Sequence, residues 1–255
     1  MSARVPPGYV AVAAGDAHAV ALEPLAGVVR AVLREGRLHD WAARHPDRRE
    51  LRGRAPAYAV PLPDGATRVV VRHAWHGGAL RHVTGDRFLA PTRAPRELAI
   101  ALRLAAAGVP TPEIVAYATY PAGPLLRRSD VASREVPDAR DLALVLVEAR
   151  DAAERTAALV AAARLLAQLA RAGARHADLN VKNVLLSTAA DGTLTAWAID
   201  VDRVTFHPGD DDAVLAANHA RLARSARKWR APPNGSLLAN SPHRKRAAPK
   251  RRCSP

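Results

Sequence analysis

The sequence predicts an α+β fold in which an antiparallel sheet with one helix is followed by a mainly helical half. Two strand-like stretches, residues 57–60 and 68–72, flank the turn signal Pro63-Asp64-Gly65 and predict a hairpin. Two long apolar stretches, residues 139–150 and 152–172, predict helices in the second half. With 255 residues, 49% of them hydrophobic, the chain is long enough for one large domain or two closely packed lobes.

Start and stop signals define further elements in the first half. Residues 25–38 are predicted to be helical, with Gly36 near the end. Residues 95–107 are predicted as the helix that accompanies the sheet, because Pro stands at their start, Glu97 lies in the first turn and Gly108 follows as a stop. Two more strands are expected in this half, at residues 113–119 and 130–135.

The most informative segment is the run His176-Ala177-Asp178-Leu179-Asn180-Val181-Lys182-Asn183, followed later by Trp197-Ala198-Ile199-Asp200. The run matches the catalytic-loop pattern H-x-D-L-x-x-x-N of protein kinases, in which a metal-binding Asp follows at a strand end. A hairpin signal at residues 191–192 separates the two segments. A solvated polar loop is the alternative, but all four fixed positions are present in this ordered context, which favours a kinase-like site.

The chemistry of phosphoryl transfer accounts for these residue types. A carboxylate orients the attacking hydroxyl and accepts its proton, and oxygen ligands hold the Mg²⁺ that bridges the phosphates of ATP. Asp178 is therefore the predicted catalytic base, and Asn183 and Asp200 are the predicted metal ligands. Since Asn183 follows Asp178 by five positions, one short loop presents both to the same phosphate.

The order of the elements agrees with a bilobal protein-kinase-like fold, in which a hairpin, a Glu-bearing helix, further strands, a hinge and two helices precede the catalytic loop. Residues 1–134 are accordingly predicted as the N-lobe, which holds the nucleotide phosphates. Residues 135–230 are predicted as the C-lobe, with the catalytic loop, the metal site and the acceptor side. Residues 231–255 are predicted as a basic, disordered tail.

More narrowly, the chain resembles the bacterial 3-deoxy-D-manno-octulosonic acid (Kdo) kinases, relatives of the lipopolysaccharide core heptose kinases. Besides the catalytic loop, five segments carry this resemblance: Val71-Arg72-His73-Ala74-Trp75-His76-Gly77-Gly78, Thr92-Arg93-Ala94-Pro95-Arg96-Glu97, Ala107-Gly108-Val109-Pro110-Thr111-Pro112, Ile199-Asp200-Val201-Asp202-Arg203 and Asn218-His219-Ala220-Arg221-Leu222-Ala223-Arg224-Ser225. Together they span roughly residues 50 to 230. Asp202 stands where protein kinases have the Gly of their Asp-Phe-Gly segment, which fits the resembling family.

The resemblance implies nucleotide-binding roles for residues of the first half. Arg72 stands where protein kinases carry a phosphate-contacting Lys, and Glu97 would position this cation; an ordinary surface ion pair is the alternative. Glu135 and Val136 would form the hinge that meets adenine through backbone groups. Gly53 would approach a phosphate closely because it lacks a side chain, whereas a plain loop glycine is the alternative.

Charge and cysteine usage limit the setting of the protein. The net charge is +14, and residues 221–255 contain eleven Lys or Arg and no acid. This basic end suits an anionic membrane or glycolipid surface, a nucleic acid or mere solubility, but no recognition motif supports specific nucleic-acid binding. The single cysteine, Cys253, suits a reducing compartment. We expect a cytoplasmic protein, or one held at the cytoplasmic face of the bacterial inner membrane.

The function that the resemblance implies is ATP-dependent phosphorylation of Kdo in Kdo-lipid A, at its 4-hydroxyl, with Mg²⁺ as the cofactor. The alternatives are a lipopolysaccharide core heptose kinase, another small-molecule kinase and, from a different class, a non-catalytic kinase-like binding protein. The intact Asp178, Asn183 and Asp200 argue against the last of these.

Overall fold

The computed structural model describes residues 5–51, 55–75, 85–189 and 191–230. The predicted phosphate-loop residue Gly53 and the predicted tail, residues 231–255, lie outside the described residues.

The first half of the chain forms an antiparallel sheet, as predicted. Within the described residues it has eight strands: β1 (Tyr9–Ala14), β2 (Ala17–Leu22), β3 (Arg49–Leu51), β4 (Ala57–Pro61), β5 (Arg68–His73), β6 (Phe88–Leu89), β7 (Ile114–Pro121) and β8 (Leu126–Arg134). Their order is β1-β2-β7-β8-β5-β4-β3, and β6 pairs with β8. The sheet ends at Arg134, and the lobe boundary between residues 134 and 135 stays a prediction.

The hairpin predicted around Pro63-Asp64-Gly65 is confirmed. Strands β4 and β5 pair from Ala57 opposite Arg72 to Pro61 opposite Arg68. The Asp64 carboxylate closes the turn by accepting hydrogen bonds from the amides of Ala66 at 3.1 Å and Thr67 at 2.9 Å. Strand β8 pairs with the other edge of β5, so that Arg72 lies on an inner strand of the sheet.

Among the described residues of the first half, three α-helices cover the two faces of this sheet. Helices α1 (Ala26–Glu35) and α2 (Leu38–Arg44) pack on strands β1, β2, β4 and β5, and helix α3 (Ala94–Ala106) packs on β7 and β8. Helix α3 is the one predicted to accompany the sheet. It has Pro95 in its first turn and is followed by Gly108, whose φ of 71° lies in the left-handed region.

The second half is mainly helical, which confirms the predicted fold class. Its helices are α4 (Leu142–Glu148), α5 (Ala152–Arg171) and α6 (Asp211–Arg230), and its short strands are β9 (Arg140–Asp141), β10 (Ala174–His176), β11 (Val184–Thr188), β12 (Leu194–Ala198) and β13 (Val204–Phe206). Helix α4 is shorter than the predicted 139–150 because Arg140 and Asp141 pair with β11. Asp141 then caps the helix by accepting a hydrogen bond from the Leu144 amide at 2.7 Å.

Two clusters of buried apolar side chains stabilise this arrangement. One joins α1 and α2 to the sheet through residues such as Val32, Trp41 and Val69. The other extends from Leu98 of α3 to Leu165 of α5 and into the loop that follows β10. Full burial of such a side chain contributes about 1.5–3 kcal/mol, so the second cluster holds α3 firmly against the helical half. Among the described residues, no helix combines the length and apolarity needed to cross a bilayer.

Candidate active site

The loop between β10 and β11 alternates buried and cleft-facing residues. Leu179 and Val181 are fully buried and belong to the apolar cluster that includes α3 and α5. Asp178, Asn180 and Asn183 instead line the cleft between the sheet and the helical half. The apolar residues of the motif therefore anchor the loop, and the polar residues between them face the space where a ligand binds.

Hydrogen bonds within the loop orient Asn183. Its side-chain amide donates to the main-chain carbonyl of Asp178 at 2.9 Å, and the Asn180 amide donates to the same carbonyl at 3.1 Å. The Asn183 side-chain oxygen accepts no hydrogen bond from a described residue. It is thus left for a ligand in the cleft.

The buried His176 ties the loop to the strand end that carries Asp200. Its Nδ1 accepts a hydrogen bond from the Asp178 amide at 3.3 Å, and its Nε2 lies 3.1 Å from the carbonyl of Ile199, to which it donates. Burial lowers the pKa of His176, which is only 1% exposed, so the ring is neutral at physiological pH. The two contacts together require the tautomer with its proton on Nε2.

Helix α6 supports the loop from behind. The side chain of Asn218, 1% exposed, accepts from the His176 amide at 3.0 Å and donates to the Ala174 carbonyl at 2.9 Å. About two turns further along the same side of the helix, the Ser225 hydroxyl accepts from the amide of Val181 at 3.2 Å. The conformation of the loop is therefore fixed at two points by a helix that lies far along the chain.

Asp200 follows β12 in a conformation that few residues other than glycine adopt. Its φ of 59° and ψ of 48° lie in the left-handed region, and a short 3₁₀ turn, Val201–Arg203, comes directly after it. Val201 is buried, which holds the turn in place. Strained backbone of this kind concentrates at functional sites because the surrounding packing must stabilise it.

Arg72 joins three elements in a charged cluster. Its guanidinium donates to the Glu97 carboxylate on α3 and, at 3.2 Å, to the Asp200 carboxylate. The carboxylate of Glu97 raises the pKa of Arg72. Burial raises the pKa of Glu97, and the adjacent Arg72 cation opposes this rise. The sheet, helix α3 and the end of β12 are thereby held together at the cleft.

A second ion pair ties α3 to the turn after Asp200. The Arg93 guanidinium, at the start of α3, lies 3.4 Å from the carboxylate of Asp202. Burial raises the pKa of Asp202, and the nearby Asp200 carboxylate adds to the rise. Because α3 also packs against this 3₁₀ turn, the segment after Asp200 is fixed on the helix.

The cleft itself has a volume of about 1120 Å³, and one part of it is apolar. The apolar side chains that line it come from strands on both sides and from the end of β12, and they include Ala57, Val70, Leu185 and Ile199. Flat aromatic ligands such as nucleobases bind between apolar surfaces of this kind. The apolar part and the charged cluster lie in one continuous cleft.

Comparison with known proteins gives this cleft a family. The sequence model of the lipopolysaccharide kinase (Kdo/WaaP) family matches residues 39–236. The chain belongs to this family. Members of the family are phosphotransferases that act on a hydroxyl acceptor, and this chain is such an enzyme.

Curated relatives carry the same name in several bacteria. The chain is 28% identical to the 3-deoxy-D-manno-octulosonic acid kinase of Vibrio vulnificus (strain CMCP6), over 74% of this chain and 77% of the relative. It is 30% identical to that of Vibrio cholerae, over 69% and 72%. A solved structure of WaaP in complex with acyl carrier protein is 22% identical over 70% of each chain, with a TM-score of 0.46.

The structure of this lipopolysaccharide kinase brings together most of the residues that its sequence singles out. Asp178, Asn183, Asp200, Arg72 and Glu97 all line the cleft. Their catalytic, metal-binding and nucleotide-binding roles remain predictions, and Gly53 is outside the described residues.

The predicted hinge residues also line the cleft, but only part of their backbone is available. The amide of Glu135 donates to the Arg68 carbonyl at 2.9 Å, and its carboxylate lies 2.6 Å from both the Arg49 and Arg68 side chains. The Glu135 carbonyl and the Val136 amide have no backbone hydrogen bond with any described residue. These two groups are therefore available to a ligand in the cleft.

The donor set of the site fits Mg²⁺, which prefers oxygen ligands and keeps several water or phosphate ligands. The Asn183 side-chain oxygen and the second oxygen of Asp200 have no hydrogen bond within the described part of the chain. No group of three or more His, Cys, Asp or Glu suited to a metal occurs among the described residues.

Sequence reasoning missed the structural role of α6 in the site. Asn218 and Ser225 hold the catalytic loop, and Arg221, Arg224 and Lys228 line the cleft beside it. The segment from Asn218 to Ser225 was one of those that resemble Kdo kinases, so the signal was present. Nothing in the segment itself reveals that it lies against the catalytic loop.

Proposed function

We propose that this chain is an ATP-dependent kinase that phosphorylates the 4-hydroxyl of Kdo in Kdo-lipid A during synthesis of the lipopolysaccharide inner core. The observation that carries the proposal is the convergence of Asp178, Asn183, Asp200 and the Arg72–Glu97 pair on one cleft. Family membership and relatives named as 3-deoxy-D-manno-octulosonic acid kinases support Kdo as the acceptor.

In the proposed reaction, the acceptor hydroxyl lies against the carboxylate of Asp178, which orients it and accepts its proton. The hydroxyl oxygen forms a bond to the γ-phosphorus of ATP as the bond from that phosphorus to the bridging oxygen breaks, and ADP leaves. Arg72, held by Glu97, binds phosphate oxygens through its planar guanidinium. Mg²⁺ bound by Asn183 and Asp200 would offset phosphate charge.

Adenine binding is assigned to the apolar part of the cleft. The Glu135 carbonyl and the Val136 amide would pair with the adenine edge, while the aliphatic side chains of Val70 and Leu185 cover its faces. This assignment is tested by Val70→Phe, which fills the apolar part. The variant should bind ATP at least tenfold more weakly while its affinity for the acceptor stays unchanged.

The decisive experiment is mass spectrometry of Kdo-lipid A precursor after incubation with the protein, ATP and Mg²⁺. A gain of one phosphate group supports the proposed reaction, and coupling of phosphorus to the proton at carbon 4 in NMR spectra identifies the hydroxyl. Phosphate on a heptose-containing core acceptor but not on Kdo would support the heptose kinase instead. ATP binding without turnover of any acceptor would support a non-catalytic binding protein.

We also place the enzyme at the cytoplasmic face of the inner membrane, where a lipid-linked acceptor is made. The basic residues of the predicted tail would contribute about 1 kcal/mol each near an anionic surface, and less at high salt. A chain ending at residue 242 lacks six of these cations. It should bind anionic vesicles more weakly, yet phosphorylate a lipid-free acceptor normally; unchanged vesicle binding would show that the tail has no membrane role.

A further inference from the structure

One face of helix α6 carries cations into the active-site cleft. Arg221, Arg224 and Lys228 are spaced three and four residues apart, which places them on one side of the helix, and all three line the cleft. We call them the α6 basic face. Ser225, which lies on the same side, accepts a hydrogen bond from the amide of Val181 in the catalytic loop. The basic face therefore adjoins the loop that carries Asp178.

The α6 basic face differs from the arginines that other elements contribute to the cleft in having no anionic partner. Every arginine that other elements contribute to the cleft forms an ion pair with a carboxylate; these are Arg49, Arg72, Arg134 and Arg140. Within the part of the chain that the structure describes, the three residues of the basic face form no ion pair. All three are exposed at the cleft, so their charges are available to a bound ligand.

Helix stability does not account for this arrangement. Like charges three or four residues apart destabilise a helix by about 0.2–0.5 kcal/mol per pair, and the basic face contains two such pairs. The helix dipole favours cations only in the last turn, which explains Lys228 but not Arg221, more than two turns before the helix ends. A bound ligand with negative charge offsets this repulsion, so ligand binding accounts for the cluster where helix stability does not.

The position of the face indicates which substrate supplies that charge. Arg72 approaches the site from the sheet, with Asn183 and Asp200 beside it, and these groups serve the nucleotide phosphates in the proposed function. The α6 basic face approaches from the helical half, next to the catalytic loop. Lys182 of this loop extends the basic surface, with its Nζ 5.1 Å from the centre of the Trp229 ring.

We propose that the α6 basic face binds an anionic group of the acceptor and so positions the acceptor hydroxyl at Asp178. This inference rests on the proposed function and adds the acceptor subsite to it. An octulosonic acid carries a carboxylate, and a lipid-linked sugar can carry phosphates. Arg221 and Arg224 would bind either group through paired N–H donors, which gives orientation as well as affinity.

The test is a set of charge-removing variants with a matched control. Arg221→Gln, Arg224→Gln and Lys228→Gln each remove one charge from the basic face. Arg227→Gln removes the same charge from the same helix, but Arg227 borders an apolar groove between α4, α5 and α6 instead of the cleft. Because all four side chains are exposed, the melting temperatures should agree with that of the unaltered protein.

Steady-state kinetics with lipid-free Kdo and with Kdo-lipid A should separate the substrates. We expect the KM for the acceptor to rise by about tenfold or more in the two arginine variants, the range for a lost charge-assisted hydrogen bond. The KM for ATP should stay within twofold, and Arg227→Gln should behave as the unaltered protein. Arg224→Lys, which keeps the charge, should recover part of the loss.

The two sources of negative charge give different patterns. The basic face binds the carboxylate if two results agree. The arginine variants must have a raised KM for both acceptors, and the unaltered protein must show an equal rise in KM when it is given the methyl ester of Kdo. If the KM of the arginine variants rises for Kdo-lipid A alone, the basic face binds a phosphate of the lipid. A rise in the KM for ATP, or losses no larger than in Arg227→Gln, would overturn the inference.

Binding measured without turnover keeps this test apart from that of the proposed function. Isothermal titration of Kdo and of Kdo-lipid A into the unaltered protein and Arg224→Gln reports the subsite even if no phosphate is transferred. Binding that weakens in Arg224→Gln but not in Arg227→Gln supports the acceptor subsite. If the unaltered protein binds neither compound, the inference is wrong; if it binds them but transfers no phosphate, only the proposed reaction fails.

Discussion

Arg72 and the α6 basic face lie in the same cleft, but their charges are balanced in different ways. The Arg72 side chain is 34% exposed and contacts Glu97 and Asp200, and the Glu97 side chain is 8% exposed. Arg221, Arg224 and Lys228 are exposed and have no carboxylate partner among the described residues. The first group is held by its neighbours, whereas the second is free to respond to a ligand.

This difference separates a structural requirement from a binding surface. A partly buried cation is stable only with a partner, because removing charge from water costs several kcal/mol per ion. In the proposed function, the pairing of Arg72 also fixes the geometry that a reacting phosphate needs. An exposed cation has no such requirement, so its position needs another explanation, which the proposed acceptor subsite supplies. Substitutions in the Arg72 cluster and in the α6 basic face should therefore have different consequences, and the following predictions test that contrast.

The largest effect is expected at Asp178, which lines the same cleft as Arg72 and the α6 basic face. Asp178→Asn keeps the size of the side chain but removes the carboxylate that is proposed to accept the proton, so kcat should fall by about 10²–10⁴-fold. Affinities for ATP and for the acceptor should change little, as calorimetry would show. Near-normal turnover on the true acceptor would mean that Asp178 is not the base.

Asp200→Ala should affect binding of the nucleotide, on the Arg72 side of the cleft, and not binding of the acceptor. Since the Asp200 carboxylate is proposed to act through Mg²⁺, binding of Mg-ATP should weaken by about tenfold or more, and binding of metal-free ATP should change much less. Acceptor affinity should be unaltered. Equal losses of affinity for both forms of ATP in a titration would point to a structural role. A loss of acceptor affinity would contradict the separation between the nucleotide side of the cleft and the α6 basic face.

Arg72→Met tests the difference between Arg72 and the α6 basic face through the free energy of unfolding. The substitution leaves the buried Glu97 carboxylate without its cation, which costs 3–5 kcal/mol in fully buried pairs; the partial exposure of Arg72 reduces this to about 1–3 kcal/mol. Arg224→Met should change the free energy of unfolding by less than about 0.5 kcal/mol. Urea unfolding measures both, and the double variant Arg72→Met/Glu97→Leu should regain most of the loss.

The smallest effect concerns His73, next to Arg72 on β5. Its Nδ1 lies 2.6 Å from the Asp130 carboxylate and its Nε2 lies 3.2 Å from that of Asp86. Burial lowers the pKa of His73, but these two carboxylates outweigh burial and raise the pKa above its ordinary 6.5. Other groups also face this cluster. Arg128 donates to Asp86 at 2.5 Å, and the ring of His39 lies 5.6 Å from that of His73. The His39 amide donates to Asp130 at 3.0 Å, and the Tyr120 hydroxyl also contacts Asp130.

A pKa raised by folding means that the protonated ring stabilises the folded state. The contribution is fully present below pH 6.5 and is lost as the pH rises through the raised pKa of His73. The difference in unfolding free energy between the unaltered protein and His73→Gln should therefore be largest below pH 6.5 and shrink above it. A difference that grows with pH would reverse the assigned charge state.

How far the fold follows from the sequence is clearest in two helices. Helix α3 begins and ends within one residue of its predicted limits, because Pro95 and Gly108 act on the local backbone. Helix α4 begins later than predicted, because Arg140 and Asp141 pair with β11, more than forty residues further along the chain. Local signals thus defined the elements, but pairing over long distances adjusted their limits.

The candidate site divides in the same way. The spacing of Asp178 and Asn183 was readable because both residues lie in one loop. Only the structure shows which backbone groups of the predicted hinge are available, since the Glu135 amide is occupied by the Arg68 carbonyl through pairing that the sequence does not display. The contact of Arg72 with Asp200 likewise joins residues 128 positions apart.

The sequence by itself determined the α+β fold, the polar catalytic loop and the resemblance to Kdo kinases, because each depends on residue types at short, fixed spacings. Only the tertiary structure decided what helix α6 does. Its basic residues read as part of a charged end, but Asn218 and Ser225 dock the helix on the catalytic loop and turn Arg221, Arg224 and Lys228 into the cleft. Which face of a helix meets a loop depends on the packing of the whole chain, and no local pattern contains that information.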